Sequence, residues 1–261
     1  MKRLLTLLSI LICISGYAQQ DTIYLNKDGD SCAVNDAAFH VVFSPETDTL
    51  IPYALYKKDG ILVSSGFTSR KGELVMNGHQ KYYYEDGSVE EEGVCYNNIR
   101  IGEWKHYRRT SGKLMFTENY FLGKRVGQLV GYYSSGAVKT REHHMPDGTV
   151  TGRTFDEKGK EIRYEQYIQV PVCKLNVAKF LSRNLEYPEY CVAKNIAGRV
   201  EIAILIDDTG DMILATVIKS AHPMLDEEAL RVVRLLREWQ PGKVDGKPQK
   251  MYMTQPITFK L

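Results

Sequence analysis

The sequence lacks the features that would place it in a membrane or among the common enzyme classes. Beyond the N-terminal segment, the 261-residue sequence contains no apolar run long enough to span a bilayer. It contains no phosphate-binding glycine loop, no dinucleotide fingerprint and no Gly-x-Ser-x-Gly nucleophile elbow. Two cleft carboxylates for glycan hydrolysis cannot be nominated from spacing alone. We therefore expect a binding protein without a cofactor rather than an enzyme.

The sequence also has no excess of charge of one sign. Its 34 basic and 32 acidic residues give a formal net charge of +2. Lys2 and Arg3 belong to the N-terminal segment, and their removal would leave 32 residues of each sign and a net charge of 0. A neutral chain is not suited to following phosphate backbones, so we expect no nucleic-acid partner.

Cysteine is scarce, and its spacing matches no zinc ribbon or redox pair. Export would allow several disulfide pairings among the four cysteines beyond residue 18, and buried free thiols are the alternative. Cys191 is expected to be a core thiol, because it lies on the apolar face of a predicted helix. The adjacent His143 and His144 would point to opposite faces of a strand, so we expect no metal site. The four cysteines are Cys32, Cys95, Cys173 and Cys191.

The first 18 residues have the composition of a secretion signal. Lys2 and Arg3 supply the positive end, residues 4–14 supply the apolar run, and Gly16-Tyr17-Ala18 supplies the cleavage site. We expect residues 1–18 to be removed and the mature chain to be periplasmic. If the segment is not cleaved, it would serve instead as a short inner-membrane anchor.

Glycines recur at intervals of 24 or 25 residues, at Gly78, Gly102, Gly127 and Gly152. An aromatic residue lies five positions after each of the first three, and a second glycine follows in every copy. A period this steady indicates a repeat array, and each copy has the pattern of a β-hairpin. The aromatic residues are Tyr83, Tyr107 and Tyr132, with Phe155 in a degenerate fourth copy, and the second glycines are Gly87, Gly112, Gly136 and Gly159.

The best copy is Gly102-Glu103-Trp104 followed by Tyr107 and Gly112, and the copies at Gly78 and Gly127 lack the tryptophan. Over residues 53–167 this pattern is similar to MORN-like repeats of the YwqK type. The resemblance implies a stack of β-hairpins that serves as a scaffold or docking surface.

The C-terminal part of the chain combines strand and helix patterns. Val200, Ile202, Ile204 and Ile206 alternate with other residues, which predicts a strand, and residues 212–219 form a second strand after a turn. Residues 176–185 have the apolar stripe of a helix. A second helix is expected to begin with Asp226 as its cap and to end at Trp239-Gln240-Pro241-Gly242, before a last strand within residues 251–261.

These patterns predict an α+β protein. Residues 19–167 would form an N-terminal all-β hairpin-repeat sheet. Residues 168–261 would form a C-terminal α+β domain with two helices on a three-stranded antiparallel sheet.

The C-terminal unit resembles the C-terminal domain of TonB-family energy transducers. That resemblance implies a non-enzymatic periplasmic domain that binds protein, in particular the extended box peptide of outer-membrane transporters. The residues that carry it are Tyr187-Pro188, Gly198-Arg199-Val200, Asp208-Thr209-Gly210, Leu225-Asp226, Ala229-Leu230, Trp239-Gln240-Pro241-Gly242-Lys243, Gly246-Lys247-Pro248 and Pro256-Ile257-Thr258-Phe259.

The resemblance places the partner-binding surface on the last strand. At a sheet edge, its unpaired N–H and C=O groups would accept an extended peptide. The alternative is that the N-terminal sheet or a second copy of the chain covers this strand. Carried over by position, the binding residues are Lys250, Tyr252, Thr254 and Gln255, flanked by Tyr187 and Pro188.

Two functional hypotheses remain. The first is a periplasmic adaptor that takes part in TonB-dependent transport by capturing a strand of an outer-membrane transporter or another envelope protein. The second is a scaffold that docks protein or cell-wall glycan through its tyrosine-rich sheet, with the C-terminal domain used for dimerisation. A cleaved leader and the lack of a long stiff spacer put in doubt that the chain energises transport itself.

Overall fold

The computed structural model describes residues 21–27, 30–44, 50–70 and 74–261. The secretion signal predicted at residues 1–18 lies outside the described residues. The chain divides into two compact units. The first runs to residue 151 and includes residues 155–160, and the second contains residues 152–154 and 161–261.

The N-terminal sheet is a meander in which each strand pairs with its neighbours in sequence. Its order is β1 to β12, and the pairs from β1 to β10 run antiparallel. A 3-10 helix, Val34–Asp36, follows β1. The strands are β1 Asp21–Leu25, β2 Phe39–Phe43, β3 Ile51–Lys57, β4 Leu62–Thr68, β5 Met76–Tyr83, β6 Val89–Tyr96, β7 Ile99–Tyr107, β8 Leu114–Phe121, β9 Lys124–Tyr132, β10 Val138–His144, β11 Val150–Phe155 and β12 Glu161–Ile162.

The second glycines of the sequence pattern lie at hairpin turns. Gly87, Gly112, Gly136 and Gly159 all have φ between 61° and 92°, a region that other residues adopt only with strain. The turns of the other set of hairpins, at Asn97-Asn98 and Leu122-Gly123, also have positive φ at both central residues. That geometry is typical of the two-residue turns that match the twist of the flanking strands.

One hydrogen bond recurs from repeat to repeat. In each repeat, the residue that follows the repeat aromatic donates a side-chain hydrogen bond to the main-chain carbonyl of the aromatic in the next repeat. This contact fixes the position of each hairpin relative to the following one. The pairs are Tyr84 Oη to Tyr107 O at 3.0 Å, the Arg108 guanidinium to Tyr132 O, and Tyr133 Oη to Phe155 O at 2.8 Å.

Glycines also make room for large side chains on one face of this sheet. Trp104 is fully buried, and its ring lies so close to Gly93 on the neighbouring strand that a methyl group there would collide with it. Gly66 has the same relation to Gln80, which accepts a 2.8 Å hydrogen bond from Tyr53 Oη. Large residues therefore alternate with glycine across the strands.

The same region holds a chain of alternating charges. Glu91 accepts from Arg100 at 3.0 Å and lies 3.3 Å from His106 Nδ1. His106 Nε2 is 2.8 Å from Glu118 Oε1, and Glu118 also pairs with Arg125. Because every carboxylate in the chain has basic groups on both sides, the sheet tolerates charge at buried positions.

Glu118 is the most buried member of this chain, with 1 % of its surface exposed. Burial alone would raise the pKa of its carboxyl group. The hydrogen bond from His106 and the charge of Arg125 outweigh burial and lower the pKa to about 2.

We predict that Glu118→Gln lowers the free energy of unfolding of the first unit by about 3 kcal/mol at pH 7, because it removes the buried carboxylate that pairs with the half-buried Arg125. The ionised carboxylate stabilises the fold fully above its ordinary pKa of 4.5, and this contribution is lost as the pH falls towards 2. Urea unfolding at pH 7, 4 and 2.5, followed through Trp104 fluorescence in a Trp239→Phe background, measures both effects.

The matched control is Glu103→Gln, which changes an exposed carboxylate on β7 and should leave stability unchanged. Equal stability of the Glu118→Gln variant and its parent at pH 7 would contradict a stabilising role for the charge chain.

The second unit contains a three-stranded antiparallel sheet, β16–β15–β20, and three helices in the described chain. Short strands before the first helix pair with short strands after the last helix, in the orders β13–β18–β19 and β14–β17. The elements are β13 Ile168–Gln169, β14 Val172–Cys173, α1 Val177–Asn184, α2 Glu189–Ala193, β15 Gly198–Ile206, β16 Met212–Lys219, α3 Pro223–Arg234, β17 Trp239–Gln240, β18 Gly242–Val244, β19 Lys247–Gln249 and β20 Met251–Phe259.

The α+β class is confirmed, but the described chain of the second unit has three helices where two were predicted, and two further sequence details are wrong. Helix α3 begins at Pro223, and its N-cap is His222, whose ring nitrogen accepts from Met224 N at 3.3 Å. Proline suits the first helical position because it has no N–H to satisfy there. Asp226 instead accepts from Ala221 N at 3.1 Å, and Trp239-Gln240 forms strand β17 rather than the helix end.

The core of this unit is the apolar face of β15 packed against α3. Val200, Ile202, Ile204 and Ile206 are all 0 % exposed, as their alternation predicts. Each such side chain contributes about 2 kcal/mol of hydrophobic free energy on burial. Strand β15 is therefore held at the centre of its sheet.

Candidate partner-binding site

The last strand, β20, lies at one edge of the three-stranded sheet. In the described chain its one strand partner is β15, and the nine pairs from Gly198↔Phe259 to Ile206↔Met251 run without a shift. The opposite edge, β16, has two irregularities in its register with β15. Bulges blunt an edge against further pairing, so β20 presents the more regular edge.

Pro256 reveals which main-chain groups of β20 point outward. It pairs with Glu201 in an unshifted ladder, yet it has no N–H to donate. Its position must therefore be a non-hydrogen-bonded pair, in which the main-chain groups face away from β15. By alternation, the N–H and C=O groups of Tyr252, Thr254 and Thr258 also point outward.

The side chains of β20 follow the same alternation. Tyr252 is 64 % exposed, and Thr254 and Thr258 are also exposed on the uncovered face of the sheet. On the other face, Ile257 and Phe259 are buried in the core, whereas Met251, Met253 and Gln255 remain partly exposed.

The structure brings four of the six predicted residues together. Lys250, Tyr252 and Thr254 alternate along the N-terminal half of the edge, with Lys250 immediately before the strand. Gln255 differs, because its main chain faces β15. Its side-chain amide donates to the carbonyl of Pro256 at 3.1 Å. The sequence pattern did not reveal this contact, since it depends on the outward direction of that carbonyl.

Tyr187 and Pro188 lie apart from these four, at another part of the domain. The Tyr187 ring packs edge-on against Phe259, with 5.5 Å between ring centroids, and its hydroxyl donates to Ile196 O at 2.8 Å. Both residues line a cleft of about 710 Å³ against α3. Tyr187 therefore contacts the C-terminal end of β20 rather than its free N-terminal half.

Polar contacts hold one wall of that cleft. Glu228 accepts from Glu186 N at 2.6 Å and from Arg231 Nε at 2.7 Å, and Arg231 also donates to Asn184 O at 2.7 Å. Arg231 therefore fixes the segment before Tyr187 to α3. These contacts give Arg231 a structural role.

Two of the repeat-sheet tyrosines named above use their hydroxyl groups within the sheet. Tyr83 Oη is 2.9 Å from Ser65 Oγ, and Tyr107 Oη donates to Glu92 at 2.6 Å. Burial and the adjacent Glu92 carboxylate raise the pKa of Tyr107 to about 12. These hydroxyls are not free to bind a ligand.

The described residues offer no metal cluster of three or more histidine, cysteine or acidic side chains. His144 is buried and lies 2.9 Å from Glu142, whereas His143 is exposed, so the two histidines face opposite sides of β10. The four cysteines named above are free thiols, and Cys191 is fully buried as expected. Within the described ranges, no helix has the length and apolar character needed to cross a bilayer.

The second unit is an α+β domain whose edge strand β20 has no further strand beside it in the described chain. Residues 183–261 match the family model described as Gram-negative bacterial TonB protein C-terminal. The resemblance of this segment is therefore confirmed, and it supports a TonB-like, non-enzymatic role in envelope transport. The strand-rich N-terminal region is compatible with repeats. No curated protein matches the chain.

The outward direction of alternate main-chain groups makes a prediction about proline. Thr254→Pro should change the stability of the second unit by less than about 1 kcal/mol, because Pro256 already occupies a position of the same kind. Met253→Pro should cost about 3 kcal/mol or more, because it removes a donor to β15. Denaturant unfolding followed through Trp239 in a Trp104→Phe background compares the two variants.

Comparable destabilisation by both substitutions would show that Thr254 also donates to β15. That result would reverse the assignment of the outer edge.

Proposed function

We propose that this protein is a periplasmic adaptor that captures an extended segment of an outer-membrane transporter or another envelope protein. The observation that carries this proposal is the unshifted edge strand β20, with outward main-chain groups at Tyr252 and Thr254, within a segment matched to the TonB C-terminal family. Addition of a partner strand would complete the ladder that β20 leaves open.

Affinity would come mainly from main-chain hydrogen bonds, each with a net contribution of about 1 kcal/mol. Side chains such as the exposed Tyr252 would add contact area on the uncovered face. Since association entropy offsets much of this free energy, the complex would be reversible. Reversible capture fits a role in transport, which requires the partner to be released.

The proposal includes the compartment and the repeats. A secretion signal at residues 1–18 would deliver the chain to the periplasm, and its retention would give an inner-membrane anchor instead. MORN-like repeats at residues 19–167 would act as a scaffold that precedes the binding domain at residues 168–261 in the chain.

We favour strand capture over docking through the tyrosine-rich sheet. The hydroxyl groups of Tyr83 and Tyr107 already form hydrogen bonds with Ser65 and Glu92. In contrast, the outer main-chain groups of Tyr252 and Thr254 have no strand beside them in the described chain.

We predict that Thr254→Pro abolishes partner capture in a crosslinking pull-down from the cell envelope, because it removes an outward N–H donor. Thr254→Val is the matched control. It keeps the main-chain N–H and changes only the hydroxyl, so capture should remain within about twofold of the wild type.

Three results would count against the proposal. Undiminished capture by the Thr254→Pro protein would exclude main-chain pairing at this edge. Loss on replacing Tyr132 instead would favour the scaffold. A crosslink between two copies of the chain would identify β20 as a dimer interface.

A further inference from the structure

We propose that the first unit binds anionic phospholipid membranes through the turns of two neighbouring hairpins, β6–β7 and β8–β9. Four exposed apolar side chains at these turns form the contact, and we call them the apolar tip: Tyr96, Ile99, Phe121 and Leu122. This surface belongs to the repeat sheet and does not depend on strand capture by β20.

The apolar tip is one continuous surface. Phe121 and Leu122 are each 66 % exposed, Tyr96 is 63 % exposed and Ile99 is 41 % exposed. Tyr96 and Ile99 are paired across β6 and β7. The next turn lies against them, because Gly123 N donates to Arg100 O at 3.1 Å and a methyl group at Gly123 would lie 3.3 Å from Ile99 Cγ2. Contiguous exposed apolar surface of this kind marks an interaction site.

Leu122 adopts a backbone conformation that is unfavourable for a leucine. Its φ is 48°, in the left-handed region where a leucine is strained. The neighbouring β6–β7 turn has Asn97 at φ 48°, and asparagine adopts this conformation readily. Burial does not compensate the strain, since Leu122 is largely exposed. Strain that is retained without a gain in packing indicates a functional role for the side chain.

The sheet fixes the direction of the apolar tip. Arg100 Cζ lies 3.9 Å from the ring centroid of Trp104 and 5.7 Å from that of Tyr120, so these three side chains share one face. By alternation, Ile99 and Phe121 point to the other face. The apolar tip therefore lies at the end of the hairpins, on the face opposite the buried Trp104.

The charge around the apolar tip favours an anionic membrane. Residues 94–102 and 119–128 contain no aspartate or glutamate. Arg100 and Arg125 are already paired with carboxylates elsewhere on the strands, whereas Lys124 is exposed next to the apolar tip. Aromatic side chains suit the boundary between lipid headgroups and acyl chains, and a lysine beside them is attracted to anionic headgroups.

The exposed area distinguishes a membrane from a second copy of the chain. Two aromatic and two aliphatic side chains exposed to this degree offer on the order of 400 Å² of apolar surface. A standard protein interface takes about 800 Å² from each partner. The apolar tip is therefore too small for a stable dimer, whereas shallow insertion of such side chains into a bilayer is sufficient for reversible binding.

Cosedimentation of the purified protein with vesicles of equal parts phosphatidylglycerol and phosphatidylethanolamine tests this assignment. We expect Leu122→Asn to weaken binding about tenfold, because it removes one inserted apolar side chain. The same variant should keep or raise the midpoint of urea unfolding, since asparagine relieves the strain at this turn. Lys124→Gln should weaken binding to these vesicles about fivefold and leave binding to phosphatidylcholine vesicles unchanged.

The matched control is Val34→Asn. Val34 is 55 % exposed in the connection after β1. Connections of an antiparallel meander alternate between its two ends, so this connection lies at the end opposite to the turns after β6 and β8. The control variant should therefore bind vesicles as the wild type does, and so should Thr254→Pro.

The Phe121→Trp variant keeps an aromatic residue and reports insertion directly. We expect lipids brominated on their acyl chains to quench its fluorescence, with no quenching of the buried Trp104 and Trp239. Absence of this quenching, or equal vesicle binding by Leu122→Asn and the wild type, would overturn the proposal. A dimer in sedimentation equilibrium that Leu122→Asn abolishes, with no vesicle binding by the wild type, would overturn it in favour of a second copy.

Discussion

The pairing of β15 with β20 is the constraint on which the second unit depends. The apolar side chains of β15 are completely buried, which fixes that strand at the centre of the sheet. Nine regular pairs then hold β20 on one side of it. A central strand with two neighbours leaves two edges, and the bulges of β16 leave β20 as the edge suited to main-chain recognition. A single proline, Pro256, shows which main-chain N–H and C=O groups of that edge point away from β15.

The repeat sheet is stabilised in a different way, through paired polar side chains. Its strands carry polar and charged side chains at buried positions, and stability depends on satisfying each of them. Glu118 is ionised and almost inaccessible, and its neighbours His106 and Arg125 compensate the cost of burying it. Glycines such as Gly93 provide the space that Trp104 needs. The sheet is therefore specified by complementary pairs across strands more than by a continuous apolar core.

Much of this architecture could be predicted from local patterns. The period of two in β15 and the regular glycine spacing both reflect short-range chemistry, and the structure has strands and turns at those places. The short strands β13, β14, β17 and β18 could not be predicted, because strands of two or three residues exist only through pairing with distant segments. The same limit applies to His222 as a helix cap, since a histidine side chain is not a usual cap signal.

The position of the candidate site stays a prediction from the sequence, and the structure adds detail to it. A family resemblance pointed to residues 250–255, yet it could not separate the outward main chain of Thr254 from the inward main chain of Gln255. That distinction requires the register with β15, which only the fold supplies. Tyr187 packs on Phe259, a contact that the sequence did not show, and its part in binding stays a prediction.

Amide hydrogen exchange along β20, resolved residue by residue by NMR, tests the central claim most directly. We predict slow exchange at Met253, Gln255 and Ile257, whose N–H groups face β15, and exchange faster by at least tenfold at Tyr252 and Thr254. Equal protection of Tyr252, Met253 and Thr254 would mean that the outer edge is already paired, and it would contradict the account.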